Sequence, residues 1–439
     1  MLSYIVVGIV LGSIYSLAGV GLVLTNKTSG VFNFAHGALA TVAAFVFYTL
    51  NVILHISWPL AAAAAILVAG PAMGYLLEVL TRTLPSSPLA VQVTTTVGVV
   101  LVVDAAVTLI FGTEQIRTVP QFLPDNGINI GSTVVTTAQL IVVGVVLLAS
   151  IGLFLLFNFT RTGLAMRAVV DDPGLLDLAG RSPARVRRWG WSIGATFAAA
   201  SGVAIAPLVQ LDSTTLTLLV VQAFGAAAVG SFTSLPRTYL GGLVIGVASA
   251  LSTKYFPDGL LSGLPSALPF ITLFLVLLLS PKRVLGHRAL LAPPHAPAWR
   301  VPGPVQTAGG LALIAAVALA PIYAGFHLGD YTSTLAYVVL FLSLGVLTRL
   351  SGQVSLGHVT FMAIGACAFA QLSEHFDLPW GVTLVLASAV AVPVGALLAI
   401  PAIRLSGLYL ALATFGFAIV VTYLFRCPSC SATRAPRST

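Results

Sequence analysis

Long apolar segments follow one another along almost the whole of this chain. A helix needs about 20 mostly apolar residues to cross a bilayer, and the lack of water there restricts spanning structures to helices and closed barrels. With 58% hydrophobic and 7% charged residues, the sequence predicts an all-α polytopic membrane protein. The segments lie near 2–24, 31–54, 59–80, 88–111, 136–158, 190–211, 216–232, 238–253, 262–280, 308–326, 332–349, 354–373, 380–402 and 407–425.

One stretch of the first half returns in the second half. Leu24–Ala40 has a relative in Leu347–Ala363, and a constant shift of 322 residues aligns the two halves without a gap. Several of the identities involve rare residue types, so the pattern indicates two copies of one membrane unit. The identical pairs are Ser29 and Ser351, Gly30 and Gly352, His36 and His358, Trp58 and Trp380, Pro71 and Pro393, and Arg82 and Arg404.

Charge asymmetry orients the segments. Lys27, Arg82 and the basic run 161–188 follow odd-numbered segments, whereas Glu114 and Asp125 lie in an opposite loop. The positive-inside rule therefore places the first group in the cytoplasm. The net charge of +8 comes from bases spread over the loops, so no nucleic-acid partner is expected.

The domain order follows from this topology. The first unit, 1–280, has about nine segments, and a basic, proline-rich linker, 281–307, follows it in the cytoplasm. The extra segment near 308–326 returns the chain to the outside, so the second copy has the same orientation and the repeat is parallel. An incomplete second unit, 308–425, has about five segments, and 426–439 is a tail of different composition.

Polar side chains inside apolar segments usually face a bundle interior or a transport path. Asn33 and His36 are candidates, as are Ser355 and His358 at the matching positions of the second copy. Two roles stay open for them: lining the passage between the copies, or stabilising a helix break as buried groups that have found partners. Glycine permits such a break, and the glycines assigned to it are Gly30, Gly37 and Gly352.

Two acidic residues lie inside predicted helices. Asp104 is in the middle of the fourth segment and is a further candidate for the translocation path. The alternative is a bundle-facing carboxylate bonded to a threonine of Thr94–Thr96 in another copy. Glu78 and Arg82 are four residues apart, a spacing that predicts a local ion pair on one helix face.

The longest polar run of the first half is 161–188. Its apolar residues indicate short amphipathic helices broken at Pro173–Gly174. Asp171 and Asp172 disfavour a membrane-surface anchor, which prefers bases on its polar face. The run is either an ordinary solvated loop or a docking surface for a protein.

The motifs carry a resemblance to a known family. GLVLTNKTSGVFNFAHGALA, RAVVDDPGLLDLAGRSPARV and GSFTSLPRTYLGG resemble the first permease subunit of branched-chain amino acid ABC importers. SGQVSLGHVTFMAIGA and RLSGLYLALATFGFA resemble the second permease subunit. The resemblance therefore implies a fusion of the two subunits, located in the cell (plasma or inner) membrane.

The resemblance also implies partners. In that family the stretch matching Arg167–Gly180 is a coupling helix that docks on an ATPase subunit. The expected partners are two ABC ATPase subunits, an extracytoplasmic solute-binding protein, membrane lipid and, as a further candidate, another permease subunit. The sequence contains no Walker A pattern, so ATP hydrolysis is expected on other polypeptides, and no cofactor or metal is expected. The residues assigned to coupling are Arg167, Asp171, Asp172, Ala179 and Gly180.

The chain departs from the family pattern in two places. The glycine-rich run GGxGSxxGA corresponds to 230–238, where three glycines are lost, which puts close packing there in doubt. The second copy stops before a counterpart of 161–188, and the tail RCPSCSATRAPRST contains Cys427 and Cys430 as a lone CxxC, a weak metal or redox signal. We interpret the second unit as truncated.

Other functions compete with the importer hypothesis. A secondary transporter or channel for small polar solutes would need no ATPase, but it predicts intramembrane ionisable residues for ion coupling, and Asp104 is nearly alone. A membrane enzyme lacks any catalytic motif in the sequence. The substrate stays open among branched-chain amino acids, urea and short amides.

Overall fold

A computed structural model describes residues 1–84, 89–112, 115–130, 133–258, 261–279, 302–376, 378–405 and 408–424. Most of the predicted linker and the whole of the tail 426–439 lie outside these residues. The chain divides into two compact units, Met1–Ser280 with Ile419–Thr439, and Pro281–Ala418. Each unit is described by itself, and the domain boundaries drawn from the sequence stay predictions.

The first unit is a bundle of helices, as the apolar pattern predicts. Within the described part of the chain, seven helical segments are long and apolar enough to cross a membrane, five of them in this unit and two in the second. Two π-helical turns, Thr49–Ile53 and Ala64–Ala69, extend α2 and join α3 to α4. The helices are α1 (Leu2–Ser29), α2 (His36–Tyr48), α3 (Trp58–Ala63), α4 (Gly70–Thr81), α5 (Leu89–Phe111), α6 (Thr137–Phe159), α7 (Arg161–Asp171), α8 (Pro173–Leu178), α9 (Pro183–Ile205), α10 (Ser213–Thr217), α11 (Leu219–Val229), α12 (Leu235–Tyr255) and α13 (Leu264–Leu279).

A small β-hairpin, which the hydropathy pattern does not predict, precedes α6. Strands β1 (Gly127–Ile130) and β2 (Thr133–Thr136) pair antiparallel, with Gly127 opposite Thr136. Two short runs rich in β-branched residues, separated by a Gly-Ser pair, were the available signal. Thr136 then caps α6 in a capping box with Gln139.

Helix α1 is the central helix of this unit and packs against α9, α11 and α12. Small residues let the backbones approach closely, as in many membrane bundles. A Cβ added at Gly246 of α12 would lie 2.3 Å from the Cα of Gly12. The hydroxyl of Ser16 donates to the carbonyl of Tyr239 at 2.6 Å, which ties α1 to α12 by a hydrogen bond across the contact.

The turn between α11 and α12 survives the loss of glycines noted in the sequence. Ser231 and Phe232 adopt positive φ values of 54° and 55°, a conformation that costs a non-glycine residue about 1–2 kcal/mol. Phe232 is buried and its ring contacts that of Phe32 with centroids 5.0 Å apart. Close packing is also kept at Gly230, where an added Cβ would lie 2.2 Å from Thr238 Oγ1. The turn therefore keeps a strained backbone at Phe232 while the ring of the same residue is buried.

The second unit repeats the helix boundaries of the first. After α14 (Gly303–Tyr323) and a 3₁₀ turn (Gly325–His327) come α15 (Leu328–Ser351), α16 (His358–Phe376), α17 (Trp380–Arg404) and α18 (Leu408–Leu424). The shift of 322 residues carries the end of α1 onto the end of α15, and the starts of α2 and α3 onto the starts of α16 and α17. The all-α, duplicated membrane architecture is confirmed.

Candidate functional site

The break after α1 has the same geometry in both copies. Gly30 is left-handed with φ 71°, and Gly352 after α15 has φ 66°, a conformation that glycine adopts without strain. Ser29 Oγ donates to the carbonyl of Thr25 at 2.7 Å, and Ser351 Oγ donates to that of Leu347 at 2.6 Å. Sequence-identical residues therefore build the same helix end twice.

Asn33 and His36 lie inside the first unit. Each has only 1% of its surface exposed. The imidazole of His36 packs on α1, where a Cβ added at Gly21 would lie 3.2 Å from His36 Cε1. A Cβ added at Gly37 would lie 2.0 Å from the carbonyl oxygen of Thr217, so this glycine lets α2 and α10 touch. Neither Asn33 nor His36 lines either of the two cavities described below.

The matching residues of the second unit are less enclosed. Ser355 is buried, and its Oγ accepts from the backbone N–H of Gly357 at 3.4 Å. His358 is half-buried at the start of α16. The N–H of Leu356 donates to Thr414 Oγ1 at 2.9 Å, which holds the break against α18.

Asp104 is half-buried on α5 and accepts a hydrogen bond from Ser213 Oγ at the start of α10. The threonine alternative involves another copy and stays a prediction, since within this chain the partner of the carboxylate is Ser213. Thr95 Oγ1 and Thr96 Oγ1 donate to carbonyls of their own helix, at 2.8 Å to Val91 and 3.2 Å to Gln92. Asp104 thus anchors α10 and does not line either cavity.

The ion pair expected between Glu78 and Arg82 is wrong. Glu78 is 1% exposed and pairs with Arg188 at the start of α9, with 3.3 Å between Oε2 and Nε, while Arg82 is exposed. The guanidinium of Arg188 also lies over the ring of Tyr75. The pair joins α4 to the helix that follows 161–180, which spacing along one helix could not reveal.

The stretch 161–180, named here the coupling stretch, forms two short helices that meet at a sharp break. α7 ends at Asp171, and Asp172 Oδ1 accepts from the N–H of Leu175 at 3.0 Å to cap α8. Ala179 ends α8, and Gly180 turns the chain with φ 77°. The break lies at Asp172–Pro173, as the sequence predicts within one residue.

One face of the coupling stretch packs on the bundle and the other is exposed. Met166 and Val169 are buried, and Arg167 is half-buried with its guanidinium over the ring of Phe157. On the exposed face, Leu175 is 64% and Leu178 is 87% exposed. Asp171, Asp172, Ala179 and Gly180 are exposed as well. Of the five residues assigned to coupling, four are exposed and Arg167 is half-buried.

Two cavities open in the first unit. The smaller, about 270 Å³, is almost wholly apolar and lies among α1, α3, α6 and α9, with residues such as Leu17, Val142 and Val203 on its wall. The larger, about 650 Å³, lies among the N-terminal half of α1, α10, α11, the C-terminal end of α12 and the start of α13, and Tyr423 also lines it, from the end of α18 that belongs to the first unit. Its wall includes Tyr15 and Gln222, so it is the more polar of the two.

These features define a class of protein: a polytopic α-helical membrane protein with an exposed pair of short helices in one of its loops. The family model described as branched-chain amino acid transport system / permease component matches residues 4–279 and 330–427. The chain belongs to this family. It is a multi-pass inner-membrane protein and not itself an enzyme.

Individual relatives agree with the family match. The chain is 29% identical over 293 residues to the high-affinity branched-chain amino acid transport system permease protein LivH of Salmonella typhimurium, which covers 64% of this chain and 94% of that relative. It is 30% identical over 299 residues to BraD of Pseudomonas aeruginosa, 65% of this chain and 96% of that relative. No solved structure matches the chain.

A different relative matches the second half. The permease protein LivM of Salmonella typhimurium is 43% identical over 93 residues, 21% of this chain and 22% of that relative. The two halves therefore resemble two different permease subunits, and the fused character predicted from the motifs is confirmed. As a member of an ABC permease family, the chain works with ATPase and solute-binding partners.

Proposed function

We propose that this chain is the membrane-spanning component of an ABC importer for branched-chain or related small aliphatic amino acids. Two ATPase subunits would hydrolyse ATP, and an extracytoplasmic binding protein would deliver the substrate. The relatives' names supply the substrate class, and they do so for both halves of the chain.

The observation that carries the coupling role is the exposed face of the coupling stretch. Leu178 and Leu175 are exposed although leucine loses about 1.5–3 kcal/mol when it stays in water instead of being buried. They sit on a rigid support, because the opposite face is buried against the bundle and both helix ends are capped. Asp171, Asp172 and Asp177 are exposed and lie close in sequence to these two leucines. An apolar surface with acidic neighbours suits a partner groove with basic residues at its edge.

A further permease subunit is the remaining partner. The described residues of the second unit contain no pair of short helices equivalent to α7 and α8. We propose such a subunit because the match of the second half spans 22% of LivM of Salmonella typhimurium, and each of two ATPase subunits needs a docking surface.

The test uses this chain reconstituted with its ATPases, its binding protein and a complete second permease subunit. Leu178→Glu should lower ATP-dependent leucine uptake and substrate-stimulated ATP hydrolysis together, by roughly ten- to a hundredfold, because a leucine contact of this size is lost. Pro236→Glu is the matched control, since Pro236 is exposed in the first turn of α12, outside the coupling stretch, where an acid is tolerated.

Both variants should insert into the membrane as the parent chain does. Undiminished uptake by Leu178→Glu would contradict docking through the coupling stretch. Leucine uptake without any ATPase would instead favour a secondary transporter.

A further inference from the structure

We propose that the larger cavity of the first unit is a binding site for a small amino acid without net charge and with an aliphatic side chain. The inference rests on the proposed function and adds the site. Its volume of about 650 Å³ lies within the range of about 300–1,000 Å³ that small-molecule sites occupy.

The cavity lies at the end of the unit that charge asymmetry assigns to the outside. The N-terminal half of α1, the end of α12 and the start of α13 meet there. A binding protein on that side would release its substrate at this mouth. The position therefore fits the first site that an imported molecule reaches.

One wall offers hydrogen-bonding groups. Ser249 Oγ is buried and has no hydrogen-bond partner among the described residues. With its amide assigned so that the nitrogen faces the helix, Gln222 donates to the carbonyls of Leu218 and, at 3.3 Å, Leu219, which holds this side chain in place. Hydroxyls both donate and accept, so they serve an ammonium and a carboxylate equally well. The polar side chains on the wall are Ser3, Tyr4, Tyr15, Thr215, Gln222, Ser249, Thr253, Ser266 and Tyr423.

The charge of the wall selects the ligand. None of the described residues that line the cavity is charged. Lys254 Nζ lies over the ring of Tyr4, 5.9 Å from its centroid, but Lys254 does not itself line the cavity. A ligand with net charge would therefore lose its hydration without gaining a counter-ion in the wall, whereas the two opposite charges of a zwitterion compensate each other. Apolar residues, among them Leu11, Leu218 and Pro269, complete the wall and suit an aliphatic side chain.

The smaller cavity does not meet these needs. Gln121 and Gln139 are its amide side chains, and the oxygen of Gln139 already accepts from the N–H of Thr136 at 3.1 Å. The two ionic groups of an amino acid would find too few partners there.

Contacts behind α10 hold the polar wall in place. Thr215 and Leu218 face the cavity from α10 and its end. From behind, Asp104 accepts from Ser213, and Thr41 Oγ1 lies 3.1 Å from Thr217 Oγ1. Asp104 is therefore a positioning residue for this site rather than a group that touches the substrate.

The first experiment measures leucine moved per ATP hydrolysed in the reconstituted importer. Gln222→Leu and Ser249→Ala should each lower this ratio roughly three- to tenfold, the effect of one lost hydrogen bond, while ATP hydrolysis stimulated by the loaded binding protein continues. Thr95→Val is the matched control, because its hydroxyl bonds to its own helix away from the cavity. Asp104→Asn keeps a hydrogen-bond acceptor for Ser213 and should leave the ratio of leucine to ATP unchanged. Asp104→Leu removes the acceptor and should lower the ratio.

The second experiment does not depend on transport. In a variant with serine at the three cysteines, Ser249→Cys should react with a thiosulfonate reagent added from outside. L-leucine should slow that reaction, and L-glutamate or L-lysine should not.

The outcomes separate this inference from the proposed function. If the parent chain shows no ATP-driven uptake but L-leucine still protects Ser249→Cys from the reagent, the importer function is refuted and the binding site is supported. If uptake is normal, Gln222→Leu and Ser249→Ala leave the ratio of leucine to ATP unchanged, and L-leucine does not protect Ser249→Cys, the binding site is refuted and the importer function stands.

Discussion

Gly37 is the position where a single methyl group should disturb the fold most directly. A Cβ there would lie 2.0 Å from the carbonyl oxygen and 2.8 Å from the carbonyl carbon of Thr217. Both atoms belong to the backbone of α10, so no side-chain rotation relieves the contact. Gly37→Ala must therefore push α10 away from α2 by about 1.5 Å to reach a normal separation of about 3.5 Å.

The loss of folding stability in Gly37→Ala follows from the contacts that this displacement breaks. Overpacking of a well-packed interior costs about 1–3 kcal/mol, and loss of the contact between Thr41 and Thr217 adds about 0.5–1.5 kcal/mol. Alanine regains up to about 1 kcal/mol of helix propensity. The expected net loss of stability is about 1–3 kcal/mol.

Thermal unfolding in detergent measures this loss. Gly144→Ala on α6 is the matched control, because nothing lies within 4 Å of a Cβ added there. The control should keep or raise the unfolding midpoint, whereas Gly37→Ala should lower it and also reduce leucine protection in the larger cavity. Equal midpoints for the two variants would refute the argument from steric contact.

The chain contains an internal comparison for this position. The shift of 322 residues carries Gly37 onto Val359, which is 53% exposed. The described residues of the second unit include no counterpart of α10 packed on Val359. A branched side chain is therefore accommodated where no backbone lies against it.

Two further predictions concern charge. Arg188→Met should destabilise the first unit by about 1–3 kcal/mol, because it leaves the buried carboxylate of Glu78 without its partner, while the 41% exposure of the arginine side chain limits the loss. A midpoint restored in the double variant with Glu78→Gln would support this, and an unchanged midpoint in Arg188→Met would contradict it. In the cysteine-free background, Asn126→Cys should react with an impermeant thiol reagent from outside and Arg185→Cys should not, since the positive-inside rule places them on opposite sides. The reverse labelling would overturn the topology.

The amino-acid sequence by itself determined the membrane architecture and the repeat. Apolar segments of spanning length must become helices in lipid, and the paired identities at Ser29, Gly30 and His36 predict the same helix ends found at Ser351, Gly352 and His358. These features are local, because hydropathy and a glycine cap act within a few neighbouring residues. The break at Asp172–Pro173 was predictable for the same reason.

Only the tertiary structure decided which distant groups meet. Spacing paired Glu78 with Arg82, but helix packing brings Arg188 to it from 110 residues away. Asp104 was assigned to the path, yet it bonds Ser213, and the polar cavity forms from Tyr15, Gln222 and Ser249 on three different helices. Each of these contacts depends on the rotation of one helix against another, which the sequence of either helix alone does not contain.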